Sequence, residues 1–270
     1  MSLKDRYVNA RNFVAYYGSG REDEMSGFDI AIVEPAGHDK ASIKKMQQNG
    51  AIVLAYTSVV EISPDMPDFK LLKDEDFLKS ESGFVKNERF GTFMADIRSP
   101  RWNNLLIHRA GRLLVQQGYD GLFIDTMGNV ELGVFTKDLQ DQLISAVVSL
   151  LQRLRNTFGD KLLIQNNGLE RLCLYTSSLI DGICWENPPF DKKESMLWWQ
   201  EIVDRLEIMG RNDSVRTLLL IEDKCESGRV VSGRESELHK MARKIAKAKG
   251  FLLYRAPEHY IGAVNRPVEE

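Results

Sequence analysis

Apolar residues fall into eight short runs, at 13–17, 29–35, 51–58, 121–126, 161–167, 181–187, 217–223 and 251–257. Each has the length of a buried strand, and most are rich in Ile, Leu and Val. Between them the apolar period lengthens to that of a helix. Residues 136–158 place Leu139, Leu143, Val147, Leu151, Leu154 and Phe158 on one face, with Gly159 following as a stop signal. Further helices fit 40–48, 103–117 (closing on Gly118), 192–209 (closing on Gly210) and 232–249, where Ser232 and Glu235 have capping-box spacing. Lys244, Lys247 and Lys249 end that last helix, where cations complement the helix dipole.

Strand–helix alternation repeated to eight strands predicts a single (β/α)8 barrel spanning 1–270. An open doubly wound sheet is the alternative, but no GxGxxG follows the first strand. Residues 59–102 break the rhythm and are too long for a structureless loop. They predict an insertion after the third strand, on the carboxyl face, with a short helix near Leu71–Leu78. A hairpin is expected around Phe84–Phe93, turning near Lys86–Asn87.

Composition narrows the function. The chain has 270 residues, 43% hydrophobic, and 36 basic against 39 acidic side chains, which gives no nucleic-acid signature. Cys173, Cys184 and Cys225 lack metal-ligand spacing, and no apolar run reaches the ~18 residues of a membrane span. The start, Met-Ser-Leu-Lys-Asp-Arg, has no apolar signal core, so the chain as written reads as cytoplasmic, or as exported if a leader preceded it. A monomer without a cofactor is expected.

Barrel chemistry comes from strand ends. These carry Tyr17, Glu34, Tyr56 with Ser58, Asp125, Asn166 with Asn167, Glu186 with Asn187, Glu222 with Asp223, and Arg255; Glu61 follows the third strand. Asp125 and Glu186 stand out because wholly apolar strands carry them to the rim. Side-chain alternation turns Gly121, Phe123 and Asp125 inward with Gly182, Cys184 and Glu186, and turns Trp185 outward as packing. One strand lies between the two acids, so their backbones are about 10 Å apart, compatible with both retaining and inverting glycosidase geometries. A carboxylate-rich rim also favours a cationic ligand. No HExxH, GxSxG or Walker loop is present. His108 and His239 fall in predicted helices away from the rim, whereas His38 and His259 follow strands and are within reach of it.

The segments NFVAYYG (12–18), 28–35, AYTSVVE (55–61), SPRW (99–102), GYDGLFIDT (118–126), IQNNG (164–168) and DGICWEN (181–187) resemble glycoside hydrolase family 114, the endo-α-1,4-polygalactosaminidase-like barrels. The resemblance implies endo-hydrolysis of α-1,4-linked galactosamine and N-acetylgalactosamine polymers, as in exopolysaccharides. It implies retention of configuration, with Asp125 as nucleophile and Glu186 as acid/base. Tyr17, Tyr56, Ser58, Glu61, Asp96 and Asn167 match pocket positions, and Glu34, Trp102, Asn166 and Asp223 complete the expected sugar-binding set. One departure is Val60, where the family carries Gly before the Glu; a Cβ there stiffens the bend. Other readings of the same rim are a barrel that binds a glycan without cleaving it, and a metal-dependent hydrolase or deacetylase.

Overall fold

The computed structural model describes residues 1–81, 83–223 and 236–267. Eight parallel strands follow one another around a single sheet: β1 (Phe13–Tyr16), β2 (Ile30–Val33), β3 (Ile52–Ser58), β4 (Gly121–Asp125), β5 (Leu162–Asn166), β6 (Gly182–Glu186), β7 (Arg216–Glu222) and β8 (Leu252–Ala256). β8 returns beside β1. The Phe13 and Tyr254 rings lie 5.8 Å apart across that seam, and Tyr17 N–H donates to the Tyr260 carbonyl at 2.7 Å above it. The strands pair in chain order because each crossover returns the chain to the neighbouring position in the same direction around the sheet.

Side-chain alternation divides the core into two layers. Tyr56 stacks on Phe123 inside the barrel. Leu122 and Ile124 share a small gap with Leu106, Ala110, Leu150 and Leu154 of the helical layer outside. Trp185 packs outward against Phe190 and Trp198, as alternation predicted. The amino-terminal helix Leu3–Val8 inserts the buried Tyr7 at the bottom of the barrel. A Cβ at Gly182 would lie only 2.0 Å from the Tyr7 hydroxyl, so that position must be glycine for the plug to seat.

The helices keep to the predicted pattern with adjusted ends. Lys40–Gln48 is a helix capped by Asp39, and Lys137–Phe158 is capped by Thr136 and ends on Gly159 at φ 53. The helix expected at 103 begins at Pro100, because Ser99 accepts from Trp102 N–H and proline suits the first turn. A π-helical turn, Arg112–Gln117, then brings it to Gly118. Gly210 does not stop its helix, which runs Met196–Asn212. The last helix is Glu237–Lys249, capped by Ser236; Ser232, Glu235 and Cys225 lie outside the described residues.

The insertion differs in detail from expectation. The helical pattern near Leu71–Leu78 resolves into two 3-10 turns, Pro67–Leu71 and Asp74–Asp76. The hairpin forms with a shifted turn: Lys86–Asn87 pairs with Thr92–Met94, which also pairs with Glu61–Ile62. Gly91 at φ 63 allows the chain to reverse there, rather than at Lys86–Asn87. Lys79–Ser80 and Gly83–Phe84 form a second small ladder. Phe69, Phe77, Phe84 and Phe93 cluster by ring contacts to give the insertion its own apolar centre. Among the described residues no helix is long and apolar enough to cross a membrane.

Candidate active site

Three neighbouring strands deliver the centre of the site by one local device. β4, β5 and β6 end in Asp125, Asn166 and Glu186, and the next residues, Thr126, Asn167 and Asn187, take φ values of 64, 55 and 50. This left-handed step ends each strand abruptly and leaves its last inward side chain on the rim. Asparagine tolerates that conformation, whereas a β-branched threonine is strained in it. Each of these residues then fastens a neighbour. Asn167 Oδ1 accepts from Glu186 N–H at 3.2 Å, and Asn187 Oδ1 accepts from Glu222 N–H at 2.9 Å. Thr126 Oγ1 accepts from Val60 N–H at 2.9 Å while donating to the Asp125 carbonyl at 2.7 Å. The hydroxyl thus holds the turn after β3 against the end of β4, and compensates the strain at Thr126.

Asn166 brings the two acids together. Its side-chain nitrogen donates to Asp125 Oδ1 at 2.7 Å and to Glu186 Oε2 at 2.8 Å. Two such bonds from one nitrogen keep those oxygens at most about 5.5 Å apart, close to the ~5–5.5 Å of paired carboxyls in retaining glycosidases. Each acid has a phenol of its own: Tyr56 donates to Asp125 Oδ2 at 2.6 Å, and Tyr260 donates to Glu186 Oε1 at 2.5 Å. The Tyr17 ring lies between these two phenols, 4.9 Å from Tyr56 and 5.0 Å from Tyr260. Among the described residues the side-chain donors to the pair, Tyr56, Tyr260 and Asn166, are all neutral.

Burial, the Asp125 charge and the Glu222 charge push Glu186 above the usual carboxylate range, against the hydrogen bonds from Tyr260 and Asn166. Burial also raises Glu34, which accepts only weakly from Ala36 N–H at 3.2 Å. Cys184, beneath the pair, is buried, and its thiol is pushed up by burial and by both acids, so it stays a neutral wall.

Tyr17, Tyr56, Asn166, Asp125 and Glu186 therefore form one constellation, and Asn167 supports it from behind. Ser58 is spent on the turn, donating to the Glu61 carbonyl at 2.7 Å. Glu61 is buried and held by Asn87 at 3.0 Å, Thr92 at 2.5 Å and Asn129; Val60 is accommodated because Thr126 fixes the bend. The remaining expected residues are engaged elsewhere. Trp102 is 0% exposed and donates its indole N–H to the Val59 carbonyl at 2.7 Å, so it packs under the loop and offers no face to a sugar. Asp96 grips Arg98 at 2.8 and 2.9 Å. Asp223 belongs to the helix side, bound to Arg255 at 2.6 Å and 3.4 Å from the buried His239. Alternation puts Glu222 on the inward register instead, since Leu220 pairs with Glu186. His38 is buried against Glu22.

Tyr260 escaped the sequence reading because it lies beyond the last strand, in an irregular turn. The available signal was a tyrosine four residues past a strand end, next to a histidine that drew attention first. Among the described residues no group of three or more His, Cys, Asp or Glu is arranged to hold a metal ion. A cavity of about 550 Å³, lined by Leu174, Arg205, Ile208 and their neighbours, lies on the helical layer, apart from the acids.

A parallel barrel carrying a closely spaced carboxyl pair on its strand ends is the architecture of a glycoside hydrolase. The chain belongs to glycoside-hydrolase family GH114, whose model matches residues 6–187. Its fold is shared by the glycoside hydrolase domain of PelA from Pseudomonas aeruginosa, with a TM-score of 0.75 at 19% identity, covering 97% of this chain and 100% of that one. Aspergillus fumigatus Ega3 in complex with galactosamine aligns with a TM-score of 0.71 at 14% identity, over 96% and 95% of the two chains. An α-galactosidase from Thermus thermophilus aligns at 0.62 and 14%, over 94% of this chain and 59% of its own. No curated protein sequence matches the chain.

Proposed function

We propose that this protein is an endo-acting hydrolase of α-1,4-linked galactosamine polymers, working through a covalent intermediate with retention of configuration. The observation that carries the reading is the Asn166 bridge, which holds one oxygen of each acid within about 5.5 Å of the other, nearer the retaining than the inverting spacing. Asp125 is the nucleophile: Tyr56 and Asn166 donate to its two oxygens and orient them. Glu186 is the acid/base, because its surroundings favour the protonated form needed at the start.

In the first step an Asp125 oxygen bonds to the anomeric carbon, the glycosidic C–O bond breaks, and Glu186 gives its proton to the leaving oxygen. In the second, Glu186 takes a proton from water, whose oxygen displaces Asp125 from the anomeric carbon. Asp125 leaves as a carboxylate and Glu186 is again protonated. The acidic rim, where Glu34 and Glu222 stand near Asp125 and Glu186, supports a substrate bearing free amino groups, because a cleft of one sign concentrates the opposite one. The galactosamine bound to Ega3 fits the same substrate class.

The test is incubation with partly de-N-acetylated α-1,4-galactosamine oligomers, followed by mass spectrometry of chain length. Asp125→Asn and Glu186→Gln run alongside, each checked for folding. Shortening by the wild type and none by either variant is expected. Oligomers that bind but stay intact would move the reading to a glycan-binding barrel; loss of activity on chelation would favour a metal-dependent hydrolase.

A further inference from the structure

The turn after β8 is built in an unusual way. His259 and Tyr260 both take left-handed φ values, 57 and 58, which cost free energy for non-glycine residues. Three contacts hold the turn there. His259 N–H donates to Glu222 Oε1 at 2.7 Å, the Tyr260 carbonyl accepts from Tyr17 N–H at 2.7 Å, and the Tyr260 ring packs on Tyr17. The result is a phenol aimed back across the rim at Glu186, 74 residues away in sequence. Asn187 Nδ2 approaches the same phenol oxygen at 3.5 Å.

We propose that Tyr260 and Glu222 act together as positioning residues for Glu186. The phenol anchors one oxygen of the acid, and the Glu222 carboxylate both clamps the turn that delivers the phenol and presents a second negative charge to the same pocket. The proposal rests on the assignment of Glu186 as acid/base. It accounts for an asymmetry the pair alone leaves unexplained: each acid has one phenol and shares one amide, but Glu186 also faces Glu222.

The two partners pull Glu186 in opposite directions. Tyr260 donates to the ionised form and favours it; the Glu222 charge disfavours it. The other groups facing Glu186 are Asp125 on β4, Asn166 on β5, Tyr17 past β1, and Cys184 below it on β6. Tyr56 on β3 answers to Asp125 and Glu34 as well. His259 stands 3.6 Å from Glu222 with its ring exposed, and when protonated it offsets part of the Glu222 charge.

The experiment is a carboxyl ¹³C NMR titration of Glu186 in the intact protein, compared with Tyr260→Phe and Glu222→Gln. Glutamine keeps the acceptor for His259 N–H and removes only the charge. Glu186 should titrate higher in Tyr260→Phe and lower in Glu222→Gln, and the basic limb of kcat/KM should move the same two ways. The Phe variant should lose on the order of tenfold in kcat/KM at its optimum, the usual worth of one hydrogen bond to a charged group. Difluorotyrosine at position 260, a stronger donor of the same shape, should lower the titration even if Phe disturbs folding. Movement in one common direction, or none, overturns the proposal. If no galactosamine oligomer is cleaved by the wild type, the functional reading fails, while the NMR titration still decides the positioning role.

Discussion

Removing the Asn166 amide should damage the site more than removing either phenol, because among the described residues it is the side chain that hydrogen-bonds both acids. Asn166 is 1% exposed and makes hydrogen bonds of 2.7 and 2.8 Å to Asp125 and Glu186. A hydrogen bond to a charged group contributes about 1.5–3 kcal/mol, so Asn166→Ala forfeits at most about 3–6 kcal/mol of alignment. Water entering the space left by the side chain restores part of this. At about 1.4 kcal/mol per factor of ten, kcat/KM should fall roughly 10²–10⁴-fold. The pH dependence should change as well. The lost donor favoured ionised Glu186, so Glu186 should titrate higher and the basic limb of kcat/KM should move upward. The assay is oligomer shortening across a pH series, with circular dichroism melts to show that the barrel persists. A folded Asn166→Ala enzyme within fivefold of wild type, with an unmoved basic limb, would refute the idea that the bridge sets the pair.

Three further outcomes follow from the same geometry. Glu186 lies above its ordinary value of 4.5, so the folded state holds its proton more tightly than the unfolded one, and its contribution to stability is present at low pH and lost as pH rises through the raised value. Glu186→Gln should therefore raise Tm at neutral pH, with a gain that shrinks below the ordinary glutamate range; a gain independent of pH would contradict this. Thr126→Val keeps the shape but strands Val60 N–H, which Thr126 Oγ1 accepts at 2.9 Å. It should cost about 1–3 kcal/mol in chemical denaturation and loosen the turn that carries Glu61; an unchanged midpoint would remove the hydroxyl from the account. Gly182→Ala sets a methyl 2.0 Å from the Tyr7 hydroxyl and should cost about 1–3 kcal/mol by overpacking. Tyr7→Phe in the same chain should recover part of that loss, and strict additivity in the double-mutant cycle would show that the two do not meet.

The barrel was legible in the sequence because its signals are local. A strand buried on both faces must be a short, continuous apolar run, and eight such runs separated by amphipathic stretches leave few other architectures. Strand ends are local too, so Asp125, Glu186, Tyr17, Tyr56 and Asn166 could be named from their places at the ends of those runs. Period-two alternation, applied to β7 as it was to β4 and β6, would also have separated Glu222 from Asp223.

What the chain alone did not reveal depends on groups far apart in sequence meeting. Asn166 bridges acids 41 and 20 positions away, and Tyr56 reaches one 69 positions away. Tyr260 comes from an irregular turn whose left-handed residues are stable only because Glu222 and Tyr17 hold them. Trp102 has a composition suited to a sugar platform and a location in the core, a distinction made by the Val59 carbonyl above it. Hydrophobic periodicity determines which residues must be buried and in what element. Closure of the barrel determines which polar groups then face one another, and so which donors reach each acid.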